Sequence, residues 1–489
     1  MSDIKTGFPK NLAYSLRELG GQGFTKQKVK VLGDKTSVDA NGTVRFLLPR
    51  GGLVDFRSLV LFMTGATAGT GSTVTSLHFP RYSSSLIQSI TITANNITLC
   101  SINEYGFLYN TLMDFEGGDI SQTTKRSPEM FDPTIKWTQL AAGTSVENPI
   151  TGVMTQSYTD NTGNDAGVNM CVNNWLGLIN SISTPVLDLF DLGDVYLNIT
   201  FAPPTVLYHS SITTSAPTIT NPNYTLSNVY LTIDKIAFQS AEYYNLKTQQ
   251  LTSENGLKVA FYDYWTVVAG AGAKSSGFNV NFNVNSASLD QLIATFRRSD
   301  AFSIKPLVIY KGNALTGAGV GVSLDKYNAD PITNSTSEAT TYALAFAGIG
   351  DGFANSYCFQ RPANDLISSQ WAVNSVNIDP YALTPIEIFQ KNLQYTGFQN
   401  LDLGSSGCHC GMKSILHFLK YYFVDICSLE NISSDNQMWV SGMNGLNGGI
   451  NVNYSAVFNT ANSQSVAPYI FCRSTKRLTI KSGRRLEIL

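Results

Sequence analysis

Charge is scarce in this chain. Asp, Glu, Lys and Arg make up 14% of its residues, against roughly 25% in an average soluble protein. Histidine is scarcer still, with His78, His209, His409 and His417 the only four. None of them stands in a nucleophile-elbow or metalloprotease-helix pattern, so the usual sequence signatures of hydrolases are missing. No apolar run approaches the ~18 residues that cross a bilayer as a helix. The opening MSDIKTGFPKNLAY has no apolar secretory core, and synthesis and folding in the cytosol are expected. Seven cysteines, at 100, 171, 358, 408, 410, 427 and 472, show no framework spacing, so reduced, mostly buried thiols are expected in place of disulfides. Asn, Ser, Thr, Gly, Tyr and Phe fill the vacancy left by charge, which is a strand-and-turn composition.

The remaining candidates for chemistry are weak. Cys408, His409 and Cys410, with His417 seven residues on, are the most metal-like group, but zinc sites usually pair ligands as C-x₂₋₄-C with a second pair. They are read as buried thiols beside a half-exposed imidazole. The loop LTGAGVGVSLDK, with Gly317, Gly319 and Gly321, lacks the GK[ST] ending of a phosphate cradle. The carboxylates show no pairing of the kind that glycoside hydrolysis needs. No catalytic, cofactor-binding or metal-ligating residue is nominated, and no enzyme activity is expected.

What is present is a repeat. HFPRYSSSLIQSITITANNITLC, from His78 to Cys100, is echoed by CFQRPANDLISSQWAVNSVNIDP, from Cys358 to Pro380. Phe79, Arg81, Leu86 and Ile87 match Phe359, Arg361, Leu366 and Ile367 at identical spacing. Alternating strands follow, with Ile90, Ile92 and Ala94 on one face of the first and Trp371, Val373 and Val376 as apolar positions in the second. Each copy then runs into a capping-box signal, Ser101 with Glu104 and Thr384 with Glu387, the latter followed by Pro385 at a first-turn position. Gly117 and Gly397 read as helix stops. Upstream, LVDFRSLVLF (53–62) resembles SLDQLIATF (288–296), and downstream GDVYLNITF (193–201) resembles GGINVNYSAVF (448–458). Phe62 lies 17 residues before Phe79, whereas Phe296 lies 63 before Phe359, so the second copy carries 46 more residues there. Their Gly, Ala, Asn and Thr content reads as a surface excursion.

At 489 residues the chain suits two β-domains of roughly 200 to 250 residues each. Short alternating strands between glycine-bearing polar turns favour all-β sandwiches or jelly rolls over a βαβ sheet. The expected division is an N-terminal arm over 1–35, a first eight-stranded jelly roll over 36–244, a linker over 245–257 and a second eight-stranded jelly roll over 258–489. One roll with very large insertions is disfavoured by the repeat. Within the arm, Phe8, Leu12, Leu16 and Leu19 share one face of an amphipathic helix that Gly20 and Gly21 end, and this face packs on its own domain, a neighbour or a membrane. Both ends are basic. Residues 1–35 hold seven Lys/Arg and three acids, residues 472–489 six and one, and the body between them twenty and thirty-one. Arg473, Lys476, Arg477, Lys481, Arg484 and Arg485 are either a solvated charge run or a face that meets a polyanion without reading sequence. Two eight-stranded rolls would return both termini to one side, which favours such a face.

The runs FPRYSSSLIQSITITANNITLCSINEYGFLYNTL, WLGLINSISTPVLDLFDLGDVYLNITFAP and NVYLTIDKIAFQSAEYY resemble the first half of a double jelly-roll major capsid protein. The flavour is that of polinton-like viruses and virophage-related tailless double-stranded DNA viruses. The resemblance extends over essentially the whole chain, through the repeat to the final SGRRLEIL, on loose patterns of apolar and turn residues. It implies a homotrimer whose six rolls make a pseudo-hexagonal capsomer of an icosahedral shell, with long loops as outward towers and termini on the inner side. Partners would be neighbouring capsomers, penton and minor capsid proteins, with non-specific contact to genome or an internal membrane. The location would be the virion, after synthesis in the host cytosol. A different class, a carbohydrate-binding or glycan-cleaving β-sandwich, is suggested by the Tyr- and Asn-rich composition, since aromatic faces and amides suit sugars.

Overall fold

The computed structural model describes residues 25–71, 76–113, 167–210, 219–237, 241–268, 276–304, 357–395, 418–430 and 442–489, apart from 81, 185, 254–255, 300, 303, 420–421, 447 and 460–464 within those spans. Sixteen principal strands carry the fold. In the first half these are β1 (Thr25–Leu32), β2 (Thr43–Leu47), β3 (Leu53–Gly71), β4 (Ile87–Ala94), β5 (Ile97–Asn103), β6 (Val168–Val172), β7 (Val195–Phe201) and β8 (Ile219–Ala237). In the second they are β9 (Leu257–Val268), β10 (Gly277–Val284), β11 (Leu289–Arg298), β12 (Leu366–Val373), β13 (Val376–Asn377), β14 (Asp425–Ser428), β15 (Ile450–Phe458) and β16 (Val466–Lys481).

Their order explains why a chain of alternating residues needs two sheets. In β7, VYLNITF alternates buried and half-buried positions without a break, and β15 does the same through most of INVNYSAVF. One face of each strand must therefore be covered by a second sheet. The first half pairs β1-β8-β3-β6 in one sheet and β2-β7-β4-β5 in the other. The second pairs β9-β16-β11-β14 and β10-β15-β12-β13, the same permutation repeated. All the pairings between these strands are antiparallel, and the first and last strands of each half lie side by side, as in a jelly roll. Short strands extend the sheets, including Arg485–Ile488 against β16.

The repeat is present in finer detail than the sequence suggested, and shifted by one residue. Ile87 pairs with Phe201 and Leu366 with Phe458, each beside a bulge that leaves out Gln88 in one half and Ile367 in the other. Ile87 therefore corresponds to Leu366, not to Ile367. Because side chains alternate faces, that slip turns Ile367 outward, where it is 53% exposed while Ile87 is buried. Beyond the bulge, Ile92 pairs with Leu197 and Trp371 with Tyr454 on equivalent rungs. Both strands then turn on two residues with positive φ, Asn95-Asn96 and Asn374-Ser375, into β5 and β13. Val376, read as an apolar position of the same strand, lies past this turn and is 66% exposed.

Three helices matter: α1 (Tyr105–Met113), α2 (Ala241–Thr252) and α3 (Pro385–Tyr395). Half of the second capping box forms, with the Thr384 N–H and hydroxyl both donating to Glu387 Oε2, at 2.8 and 2.7 Å, and the helix opening on Ile388 N to Thr384 O. The first does not. Ser101 is still within β5, and Glu104, at φ +52°, turns its carboxylate to Gln88 and Arg297. The stretch read as an arm ends in a strand, because β1 pairs along β8 from Thr25↔Ala237 to Leu32↔Tyr230. The stretch 245–257, read as a linker without strand pattern, is helical over its first half as part of α2. The 46-residue excursion, Gly117, Gly397 and Gly317 to Gly321 lie outside the described residues.

Candidate functional site

The joint between the two halves gathers buried charged and aromatic side chains. The sequence of α1, YGFLYNTLM, is apolar nearly all round, and such a helix has to be covered on every side. Its own half covers one side, where Tyr109 lies edge-on to Tyr82 and Asn110 Nδ2 donates to Ser85 Oγ. The second half covers the other. Phe107 sits 5.2 Å from the ring of Tyr469 and 6.2 Å from that of Phe471, both on the outer face of the β9-β16-β11-β14 sheet. Arg297 of β11, 3% exposed, lies over Phe107 at 4.1 Å, donates from Nη1 to Glu104 Oε2 at 3.1 Å, and from Nε to the Cys358 carbonyl at 3.1 Å. A buried guanidinium in the second half is thus neutralised by a carboxylate of the first.

The joint continues along β5 and β9. Asp263, nearly fully buried, accepts from Cys100 Sγ at 3.1 Å and from the Ser101 N–H, and forms an ion pair with Lys476. Thr266 Oγ1 donates to the Asn103 carbonyl, and Tyr262 N–H to Ser181 Oγ at 2.7 Å. Ser183 and Ala260 exchange two hydrogen bonds, Ser183 N–H to Ala260 O and Ala260 N–H to Ser183 Oγ. Burial, with the Asp263 charge added to it, pushes the Cys100 thiol well up, so it stays protonated as a donor and is no nucleophile.

A third contact pins α2. Lys247 reaches Asp188 at 2.7 Å and Asp191 at 3.0 Å, both in the first half. Burial alone would lower the lysine's pKa, but the two carboxylates outweigh it and the pKa is raised. Burial pushes Asp191 up, against the opposing pull of Lys247. The turn 482–484 folds onto the same place, with Arg484 Nε donating to the Phe190 carbonyl at 3.1 Å and Asn95 Nδ2 to the Arg484 carbonyl at 3.3 Å.

The six basic residues near the C-terminus therefore have different surroundings. Arg473 pairs with Glu430 at 3.0 Å over the Tyr262 ring, and Lys476 belongs to the joint. Lys481 and Arg485 share Glu487, at 2.9 and 3.5 Å, and Arg477 is half-buried. Arg484 and Arg485 are exposed. The start of β1 lies near the 482–484 turn, from which the last strand runs back to Leu489, bonded to Arg477. Thr25 pairs with Ala237; the adjacent Ile236 pairs with Leu53, and Leu53 with Asp188, beside which the 482–484 turn sits. Phe8, Leu12, Leu16 and Leu19 lie outside the described residues, as do Cys408, His409, Cys410 and His417. Among the described residues no group of three His, Cys, Asp or Glu side chains is placed to hold a metal, and no helix is long and apolar enough to cross a membrane.

Sequence reasoning missed the joint. Glu104 was assigned to a cap and Lys476 to a polyanion face, while Arg297, Asp263 and Lys247 drew no notice. The signal that could have found it is α1 itself, whose lack of a polar face calls for a second covering surface.

No family model and no curated protein sequence matches the chain. Solved structures do. The quasi-atomic model of the PBCV-1 virus capsid superposes with a TM-score of 0.55 at 13% identity, over 95% of this chain and 96% of that one. The crystal structure of PBCV-1 VP54, fitted into a reconstruction of the virophage Sputnik, gives 0.53 at 13% identity over 95% and 96%. The cryo-EM structure of the Sputnik virophage gives 0.51 at 11% identity, over 96% of this chain and 88% of that one. The chain has the double jelly-roll fold, and the likeness to these capsid structures runs through both halves.

Proposed function

We propose that this chain is a structural major capsid protein, three copies of which form a pseudo-hexagonal capsomer of an icosahedral virus shell. The observation that carries this reading is the joint of buried contacts between two rolls of identical strand order. Three such pairs present six near-equivalent sides, and six sides tile a surface with six neighbours. The likeness in fold to the PBCV-1 and Sputnik capsid structures supports it. Function on this reading resides in outer surfaces, and the protein works in the virion beside neighbouring capsomers, penton and minor capsid proteins.

Each roll is proposed to be a domain, with α2 as the bridge. The basic residues contribute an inner face only through those still open to solvent, Arg484 and Arg485, together with the lysines of the arm; this face would meet genome or an internal membrane. The apolar face of Phe8, Leu12, Leu16 and Leu19 would dock on the shell's inner side. The carbohydrate-directed alternative has no support from the structural comparisons, and Tyr82, Tyr105, Tyr109, Tyr224 and Tyr454 are fully buried, while Tyr244 and Tyr381 are exposed. Light scattering on the purified protein tests the proposal. The expected mass is three times the 53.2 kDa of one chain, and a monomer at micromolar concentration would sink it.

A further inference from the structure

The second half buries a charge pair that its fold does not require. Asp425, on β14, is 1% exposed, and the Lys391 ammonium, on α3, lies 3.5 Å from its Oδ1 and 3.2 Å from Asp379 Oδ2. The first half does without such a pair, since the corresponding helix and strand, YGFLYNTLM and VNMCV, carry no charge. Taking two ions out of water is repaid only where hydrogen bonds satisfy their remaining lone pairs. Here one oxygen goes without. Asp425 Oδ2 accepts from Ser369 Oγ at 2.6 Å, but Oδ1, although buried, accepts no hydrogen bond among the described residues. A buried polar atom left in that state calls for an explanation.

The chain around the pair is fixed from two sides. Asn392, next to Lys391, donates from Nδ2 to the Val424 carbonyl at 2.6 Å and accepts at Oδ1 from the Ile426 N–H at 3.1 Å. It thereby brackets Asp425 and stops α3 from sliding along β14. On the other side Gln370 Nε2 donates to the Asp379 carbonyl at 3.2 Å, and Ser369 and Leu383 exchange backbone hydrogen bonds at 3.0 and 2.8 Å. Amine, carboxyl and a second carboxyl are held together in advance, which is the arrangement that turns a slow condensation into an intramolecular one. Burial alone would lower the pKa of Lys391, but Asp425 and Asp379 together raise it, so the resting amine is an ammonium that must first hand on a proton.

We propose that Lys391 and Asp425 condense to an isopeptide bond, with Asp379 as the proton carrier. Asp379 takes a proton from the ammonium, and the freed Nζ attacks Asp425 Cγ. The Ser369 hydroxyl, donating to Oδ2, holds the oxygen that gains charge in the tetrahedral intermediate and remains as the amide carbonyl. Oδ1, which no hydrogen bond retains, leaves as water with two of the amine's three protons, one of them delivered by Asp379, which ends as it began. One C–N bond forms, one C–O bond breaks, and neither oxidant nor cofactor enters. Two buried charges become one neutral amide, and α3 is joined covalently to β14.

Mass spectrometry of the purified full chain under denaturing conditions reads the bond directly, whatever the chain assembles into. The expected mass is one water below that of the sequence, and a protease digest should contain a branched peptide joining the segments around Lys391 and Asp425. Lys391→Arg, which keeps the charge but not the amine, should return to the full mass of its own sequence. Asp379→Asn should do the same, because the proton carrier is gone while the amine and Asp425 remain. A parent chain at full sequence mass with no branched peptide would overturn the proposal. So would a loss of one water that Lys391→Arg retains, since that loss would arise elsewhere in the chain. A branched peptide that still forms in Asp379→Asn would overturn the assignment of Asp379.

Discussion

The two halves share one strand order and fill it with different side chains. On equivalent rungs of their second sheets, the first half places Ile92 beside Leu197 and the second Trp371 beside Tyr454, whose rings lie 4.3 Å apart. The core of the second half continues as rings, with Phe296 stacked on Phe423 at 4.8 Å and edge-on to Phe278 and Phe458. The first half spreads its rings more widely, with Phe46, Phe56, Phe201 and Tyr224 buried on its strands, Phe79 edge-on to Tyr224, and Tyr82, Tyr105 and Tyr109 gathered near α1. A jelly roll is therefore specified by alternation, turn residues and the bulge, and is tolerant of what fills it, as cores are when volume and pattern are kept. The helices after the fifth strand differ for another reason. α1 is buried all round because a second sheet lies over it, whereas α3 keeps Ile386 at 62% exposure and a polar side.

The difference in core filling can be broken at its largest cavity. Trp371→Ala should destabilise by about 4 kcal/mol, whereas Ile92→Val on the matching rung should cost about 1 kcal/mol. Urea unfolding of the two variants measures both, and equal losses would contradict the contrast. Next comes the joint, which has no second occurrence within the chain. Arg297→Ala strips Glu104 of its buried partner and should cost about 3 kcal/mol. Its unfolding should separate into two transitions where the parent has one, and limited proteolysis should then cut near α2. A single unchanged transition would mean that the halves do not depend on this pair.

The Lys247 contact should respond to pH in a stated direction. Its folded pKa is raised, so its contribution is present below the usual lysine range and is lost as pH rises through the higher folded value. Lys247→Met should cost about 2 kcal/mol near neutrality, and the gap between variant and parent should close in alkali. A gap that widens there would reverse the assignment. The smallest effect distinguishes the two expected caps. Thr384→Ala should cost about 1 kcal/mol, and Ser101→Ala, in a strand, less than about 0.5 kcal/mol. Accepting from the Thr384 N–H holds the Glu387 carboxyl below its usual range. That contribution is present above the usual glutamate value and fades as pH falls through the lower folded one, so the penalty of Glu387→Gln should vanish in acid.

Much of this was open to reading in the chain itself, for a physical reason. A strand with one face buried must alternate, a two-residue hairpin turn wants Asn at positive φ, and a helix start wants a hydroxyl with a glutamate three residues on. All three are local demands, so strand positions, the tandem repeat and the Thr384 cap were determined by sequence alone. Tertiary structure decided what neighbours decide. The bulge at Gln88 and Ile367 depends on the partner strand's register, and it moved the repeat by one residue. Glu104 abandoned the cap because a buried guanidinium, 193 positions away in the chain, took its charge, while the Ser101 N–H that the cap would have served donates to Asp263 instead. Lys476 left the basic surface for Asp263 on the same principle. A charge brought out of water is held by whichever opposite charge the fold delivers, and no stretch of sequence can say which that will be.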